Sequence, residues 1–402
     1  MDIYEKFLNS LGFNVSWANI DSIVMSDANI LRPVKGAAFE ILFDEIVINH
    51  LGGQISPGPG GDTDIDRILK NKNDTINLQL KTCATGSTKQ NVRVGVNLHK
   101  THGIEKRPNN LYPFQWPCPH CNHEGEEFPP YLVVLHPQKG ILIIPKEHIP
   151  ESSKHKGHFA DPAYFNWNSK WLNRWDLLGY PQFKGQSLER RSIPRQQKFP
   201  NICEVIKLTD EELVRLWLSP ENFRTLEMNL KGNIREHLLK NWLESQGLPT
   251  EYPVGIAYPK YDLITPNGIK IQSKGPSKAM CNINATQVGT EVMGTHGRGS
   301  VRMYSSDVFD YLGFVIDPIY IPQNIGLDHS ICHFCLIPIT ALPLHHKNSE
   351  WKTANKLYPN CKFIIDSDNN GVFLKPSTNY RVNISFREQG PWYIDTIPQG
   401  LT

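Results

Sequence analysis

A chain of 402 residues, 39% of them hydrophobic, holds enough apolar material for about two domains of ordinary size, and one small core is excluded. Its 42 Lys and Arg against 40 Asp and Glu give a net charge of +2, so bulk charge does not announce a polyanionic partner and local distribution must decide. No apolar run approaches the roughly 20 residues that span a bilayer, and no like-charge block or low-complexity tract reads as a disordered tail.

In chain order, the opening MDIYEKFLNSLGFNVSW is a short amphipathic stretch rather than an apolar leader, so residues 1–29 are expected to form a helical arm. With eight cysteines scattered along the chain, the reading is a cytoplasmic protein with reduced thiols and no membrane partner. From Lys35 to Gly53, KGAAFEILFDEIVINHLGG places Phe39, Leu42, Phe43, Ile46 and Val47 at helical spacing, with Gly52 as a stop. The Gly-rich stretch around Gly58 reads as a turn entering a strand at Asp66, not as a nucleotide-binding loop. INLQLK then alternates, with Ile76, Leu78 and Leu80 on one face and Asn77, Gln79 and Lys81 on the other. PYLVVLHP and IIPKEHIP follow, and a first domain is expected over 30–160.

A basic, Trp-rich connector is expected over 161–224, including NWNSKWLNRW and ERRSIPRQQK. The pattern then returns. KGNIREHLLKNWLESQG, from Lys231 to Gly247, again reads Lys-Gly-x-x-x-Glu, with Leu238, Leu239, Trp242 and Leu243 at helical spacing. Glu40 precedes Asp66 by 26 positions, and Glu236 precedes Asp262 by the same 26. IKIQSK repeats the strand ending in Gln-x-Lys, with Gln272 and Lys274 opposite Ile269 and Ile271. DYLGFVIDP and LIPITALP repeat the next two segments, giving a second domain over 225–350. Residues 351–402 alternate around an Asn-Asn-Gly turn and read as a β-rich C-terminal extension.

Hydrolysing a phosphodiester needs a nucleophilic water, neutralisation of charge growing on the phosphate and a proton for the leaving oxygen. Carboxylates holding one or two Mg²⁺ ions beside a lysine meet all three needs. An Asp at one strand, a Gln-x-Lys on its neighbour and a Glu from the preceding helix can converge on one point, and the chain carries that set twice. Asp66 and Asp262 are then the principal metal ligands, Gln79 and Gln272 lend side-chain oxygens, and the carbonyls of Leu80 and Ser273 complete the shell. Lys81 and Lys274 orient the attacking water and stabilise transition-state charge. Glu40 and Glu236 bind metal or order its waters, and Asp64 can assist. A single such set is a weak signal, with an Asp in a surface hairpin as the plain alternative; two matched sets are not.

This pattern resembles the PD-(D/E)xK nuclease superfamily, and the two-copy organisation looks most like a type II restriction endonuclease. The matching stretches are 35–90 and 231–280. The pattern departs from the family's in lacking a Pro-Asp pair and in carrying Gln where an acid precedes x-Lys, which makes the helix Glu more necessary. The resemblance implies an α/β chain of two restriction-endonuclease-like domains, each a mixed central sheet flanked by helices, arranged as an intramolecular pseudodimer. It implies double-stranded DNA as partner, a cognate DNA methyltransferase acting on the same site, and a chain that works as a monomer or a further homo-oligomer. A structure-selective repair nuclease, or a DNA-binding protein with one or no active half, remains open.

Lys35-Gly36 and Lys231-Gly232 read as helix starts, either bringing backbone to a phosphate or serving ordinary helix-start chemistry. Lys89, Lys278, Arg298 and Arg302 lie in basic segments beyond the catalytic strands, which either contact DNA or are solvated loops. Cys118 and Cys121, with His99, His102 or His123, are candidate ligands of a structural Zn²⁺, whereas Cys332 and Cys335 sit in an apolar run and read as core.

Overall fold

A computed structural model describes residues 2–401, apart from 13, 27, 60–64, 72–73, 84–92, 97, 99–111, 113–126, 137–139, 167–168, 189–194, 254–260, 278–280, 282–285, 296–300, 345–355, 359, 378–385 and 400. The fold is mixed α/β, and the chain forms two compact units. One comprises residues 27–216, and the other joins residues 1–26 to 217–402.

The N-terminal helices α1 (Ile3–Leu11) and α2 (Trp17–Ser26) therefore belong with the C-terminal half. Their docking is apolar: Phe7 stacks on Trp217 with ring centroids 5.0 Å apart. The 27–216 unit begins with α3 (Ala28–Glu45), continued by a π-helical turn over Ile46–His50 and stopped at Gly52, whose φ of +65° suits glycine. Its strands are β1 (Gln54–Pro57), β2 (Arg67–Lys70), β3 (Thr75–Thr82), β4 (Arg93–Val96), β5 (Tyr131–His136), β6 (Gly140–Pro145) and β7 (Ala163–Asn166). Helices α4 (Pro200–Ile206) and α5 (Asp210–Leu218) follow.

The central sheet has the order β1-β2-β3-β5-β6, antiparallel except for the parallel β3–β5 pair. On one face Phe39, Phe43 and Val47 of the α3 region meet Leu69, Leu78, Leu80 and Val133. On the other, Leu132, Val134, Leu142 and Ile144 meet Val96, Phe128, Phe159 and Phe165. The stretch expected as a connector builds this unit: Trp175 is fully buried in the α3-side core, and its indole N–H donates to the Gln186 carbonyl at 2.9 Å.

The other unit continues with α6 (Pro220–Ser245), closed by Gly247 at φ +79°. Its strands are β8 (Leu263–Ile264), β9 (Lys270–Lys274), β10 (Gln287–Glu291), β11 (Met293–Thr295), β12 (Val301–Met303), β13 (Tyr311–Ile316), β14 (His333–Pro338), β15 (Asn360–Asp368), β16 (Gly371–Pro376) and β17 (Trp392–Tyr393). Its sheet runs β8-β9-β13-β14, again antiparallel except for the central β9–β13 pair. The register is the same in both: Gln79 pairs with Leu132 and Gln272 with Leu312, while Tyr131 pairs with Pro145 and Tyr311 with Pro338. Leu239 and Leu243 of α6 pack with Leu263, Ile271, Val315 and Leu336. The C-terminal β15–β17 join β10 in a second sheet, whose Phe363, Ile365 and Leu374 bury the opposite face with Leu312, Phe314 and Ile337.

One expectation needs correcting. Lys35-Gly36 and Lys231-Gly232 lie inside α3 and α6 rather than at helix starts, so their N–H groups face preceding turns of helix instead of a phosphate. A second core covers the polar face of β3 and of β9, and Gln79 and Gln272 are only 2% and 3% exposed. No described helix is long and apolar enough to cross a membrane.

Candidate active sites

In each unit an aspartate stands at the mouth of the strand that pairs antiparallel with the Gln-x-Lys strand. The main-chain N–H of Asp66 donates to the Leu78 carbonyl at 2.9 Å, and that of Asp262 to the Ile271 carbonyl at 3.0 Å. Each pairing turns the carboxylate back over the neighbouring strand. There Oδ2 of Asp66 accepts from the Leu80 N–H at 2.7 Å and from the Gln79 side-chain amide. Oδ2 of Asp262 accepts from the Ser273 N–H at 2.8 Å and from the Gln272 amide. Two stretches far apart in sequence thus close the same three-membered network.

Gln272 Nε2 also lies 3.3 Å from the Ser273 carbonyl oxygen, so the positive end of the amide sits between a carboxylate and a main-chain carbonyl. A cation would be drawn to that position by the same two oxygens. In the first unit Gln79 Oε1 is buried and has no hydrogen-bond partner among the described residues, an acceptor left with capacity to spare. Carboxylate and main-chain carbonyl oxygens are hard donors that suit Mg²⁺ better than a thiophilic ion, but Gln79 and Gln272 turn their amide nitrogens to the aspartates, so the side-chain oxygens expected of them as ligands do not face that position. Among the described residues no three His, Cys, Asp or Glu side chains gather as a metal cluster.

The electrostatics agree in both units. Burial pushes the Asp66 carboxyl above its ordinary value, opposed by the positive charge of Lys81. Burial likewise raises Asp262, opposed by Lys274. Glu40, on α3, is raised by burial; Arg67 pulls it down and the Asp66 charge adds to the rise, which puts Glu40 within electrostatic reach of Asp66. Crowded carboxylates with raised proton affinity beside a lysine are typical of functional sites.

Three neighbours had no repeated signal in the sequence. Arg67 holds Glu40 at 3.0 Å and Asp44 at 2.8 Å. The Tyr304 hydroxyl donates to Gln272 Oε1 at 3.3 Å, and Lys274 Nζ lies 5.9 Å from its ring centroid. Burial, then Asp262 and Glu236, keep the Tyr304 phenol protonated. Tyr252 is pushed up to about 12 by burial and by Glu236, Glu244 and Asp262. Only adjacency to Asp66 could have pointed to Arg67.

Asp64, Lys89, His99, His102, Cys118, Cys121, His123, Lys278 and Arg298 lie outside the described residues, and Arg302 lies in β12 with its side chain undescribed. Cys335 is fully buried, its thiol donating to the Trp392 carbonyl at 3.3 Å, in keeping with a core role. No protein-family model matches the chain, and no curated protein matches it. Among solved structures it is similar to the bacterial homing endonuclease I-Ssp6803I, at 16% identity over 38% of this chain and 84% of that one, with a TM-score of 0.23.

Proposed function

We propose that the chain is a Mg²⁺-dependent deoxyribonuclease of the type II restriction kind, with one restriction-endonuclease-like active site per unit, hydrolysing both strands of double-stranded DNA at a specific sequence. The observation that supports this reading is the duplicated network in which Asp, the Gln amide and the next main-chain N–H meet beside a Lys in both units. A surface aspartate has no reason to be rebuilt twice in the same register, with a 2–3% exposed glutamine held against it.

Bound Mg²⁺ supplies positive charge opposite the phosphate and acidifies the attacking water. Asp66 with Gln79, and Asp262 with Gln272, would hold it, and its charge would offset the cost of burying their carboxylates. Lys81 and Lys274 orient the water and stabilise charge on the phosphate. Glu40 and Glu236 order the remaining waters.

The test is incubation of purified protein with supercoiled plasmid and Mg²⁺, alongside Lys81→Ala, Lys274→Ala and the double variant. Discrete linear fragments from the parent, nicks from each single variant and silence from the double are expected. No cleavage by the parent on methylated and unmethylated plasmids alike would refute the nuclease reading; cleavage confined to branched oligonucleotides would refute its restriction form.

A further inference from the structure

The Asp262 network does not end on its own strands. The Gln272 amide has two N–H groups and one oxygen. Its nitrogen meets Asp262 Oδ2 and lies 3.3 Å from the Ser273 carbonyl oxygen, so both hydrogens have acceptors. Among the described residues the one donor that reaches its oxygen is the Tyr304 hydroxyl, at 3.3 Å. The ring of the same tyrosine has the Lys274 ammonium 5.9 Å from its centroid. A residue from outside β9 thus touches both side chains of the Gln-x-Lys pair, which alternation puts on one face of the strand.

Tyr304 is itself held. It lies just after β12, its carbonyl accepts from the Leu357 N–H at 2.8 Å, and the next residue, Ser305, bridges to Lys356. Its ring meets the buried Phe309 edge-on, with centroids 5.5 Å apart. A phenol that only needed an acceptor would be satisfied by any main-chain carbonyl. This one sits on the amide that is held against Asp262, and its ring stands beside the lysine two residues further on. We propose that Tyr304 is a positioning residue of the Asp262 site. Its hydroxyl fixes the Gln272 amide so that the nitrogen stays on Asp262 and the carboxylate keeps its direction, and its ring seats the Lys274 ammonium beside them. This rests on the nuclease reading of that site.

The experiment takes the full chain with isotope-labelled glutamine and follows the side-chain amide signals by NMR, without DNA or cation. The pair lost in Gln272→Met belongs to Gln272, and the pair lost in Gln79→Met to Gln79. Tyr304→Phe keeps the ring and removes the hydroxyl. It is expected to move the Gln272 pair and to speed its exchange with water severalfold, while the Gln79 pair stays in place and the melting temperature stays close to the parent's. On supercoiled plasmid with Mg²⁺, Tyr304→Phe should slow conversion of nicked to linear product about fivefold, the worth of one hydrogen bond. Tyr304→Leu, which also removes the ring face, should slow it about fivefold more. A Gln272 pair that does not move in Tyr304→Phe overturns the proposal, as does a moved pair with cleavage at the parent's rate, or a Tyr304→Leu protein no slower than Tyr304→Phe. If Tyr304→Leu does not fold, the Tyr304→Phe outcomes decide alone. A parent that cleaves no plasmid and binds no Mg²⁺ strikes the nuclease reading itself, whereas an unmoved amide pair in a cleaving protein strikes only the role of Tyr304.

Discussion

In the 27–216 unit, the sheet face away from α3 is covered by Val96, Phe128, Phe159 and Phe165, drawn from short strands and loops; in the other unit the equivalent face is covered by a second sheet carrying Phe363, Ile365, Leu374 and Trp392. The strands beneath keep the same order, direction and register. What both versions preserve is the pairing that brings an aspartate, a glutamine and a lysine together; what varies is the material that keeps water off the far side. Burial of both faces explains why the β3 and β9 glutamines are nearly inaccessible.

The sharpest way to break this comparison is to remove the covering. Phe363 is fully buried between Phe314, 5.5 Å away, and Phe386, 5.4 Å away. Phe363→Ala is expected to cost about 3–5 kcal/mol in urea unfolding, with amide protection lost in β13–β15. Phe159→Ala, in the opposite unit, is expected to cost a similar amount but to spare β13–β15. Equal loss of protection in both units would contradict the separate cores.

Next in size is an ion pair with no counterpart among the described residues of the 27–216 unit. Arg235, one residue before Glu236, donates to both oxygens of Asp317 at 3.0 and 2.6 Å, with side chains 16% and 4% exposed. The residue matching Arg235 is Phe39, a core residue. Asp317→Ala removes a bidentate carboxylate from a largely buried guanidinium and is expected to cost about 3 kcal/mol, read from the urea midpoint. Asp317→Ala with Arg235→Met should recover much of that loss; no recovery would mean that Asp317 acts through some other contact.

A smaller effect is expected one residue past the lysine. Gly275 is glycine because Arg235 lies across it: a Cβ there would come within 2.2 Å of Nε and 2.4 Å of Cζ. Since Asp317 pins the guanidinium, Gly275→Ala is expected to cost about 1–3 kcal/mol. The matching Thr82→Ala, where no arginine crosses, should stay within about 0.5 kcal/mol. A similar cost in both variants would remove Arg235 as the cause.

These residues also mark how much could be read from the sequence. The duplication was legible because register and capping leave local traces: Gly52 and Gly247 both close their helices at positive φ, and the Tyr and Pro of the paired segments meet across the sheet in both units. The site's carboxylates, amides and lysines were legible because they recur. Helix starts were not, since α3 and α6 extend well upstream of the repeated Lys-Gly pair and α3 runs through Pro33. The packing of Trp175, Leu178 and Tyr180 into the α3-side core was not legible, because these residues carry no repeated signal and are placed by tertiary packing. Arg67, Tyr304 and Arg235 were invisible for the same reason: each is particular to one unit.

The smallest effect expected separates the units by pH. His333, at the start of β14 and 4% exposed, has Nδ1 2.5 Å from an Asp395 carboxylate oxygen and Nε2 2.9 Å from the Asp328 carbonyl. Both partners are acceptors, so both ring nitrogens must carry protons to satisfy them, which is the imidazolium form. Burial opposes that charge, but the Asp395 and Asp328 hydrogen bonds and negative charges outweigh it and leave the pKa above its ordinary value. The group's contribution to stability is therefore whole below about pH 6.5, where the unfolded chain is also protonated. It declines as pH rises from there through the raised folded value, because the unfolded chain then binds fewer protons than the folded one. Urea midpoints taken across that window should fall for the parent and flatten for His333→Gln, with Asp395→Asn losing most of the slope. A parent whose midpoint rises over the same window, with His333→Gln following it, would show that the imidazolium does not hold β14 to the Asp395 segment.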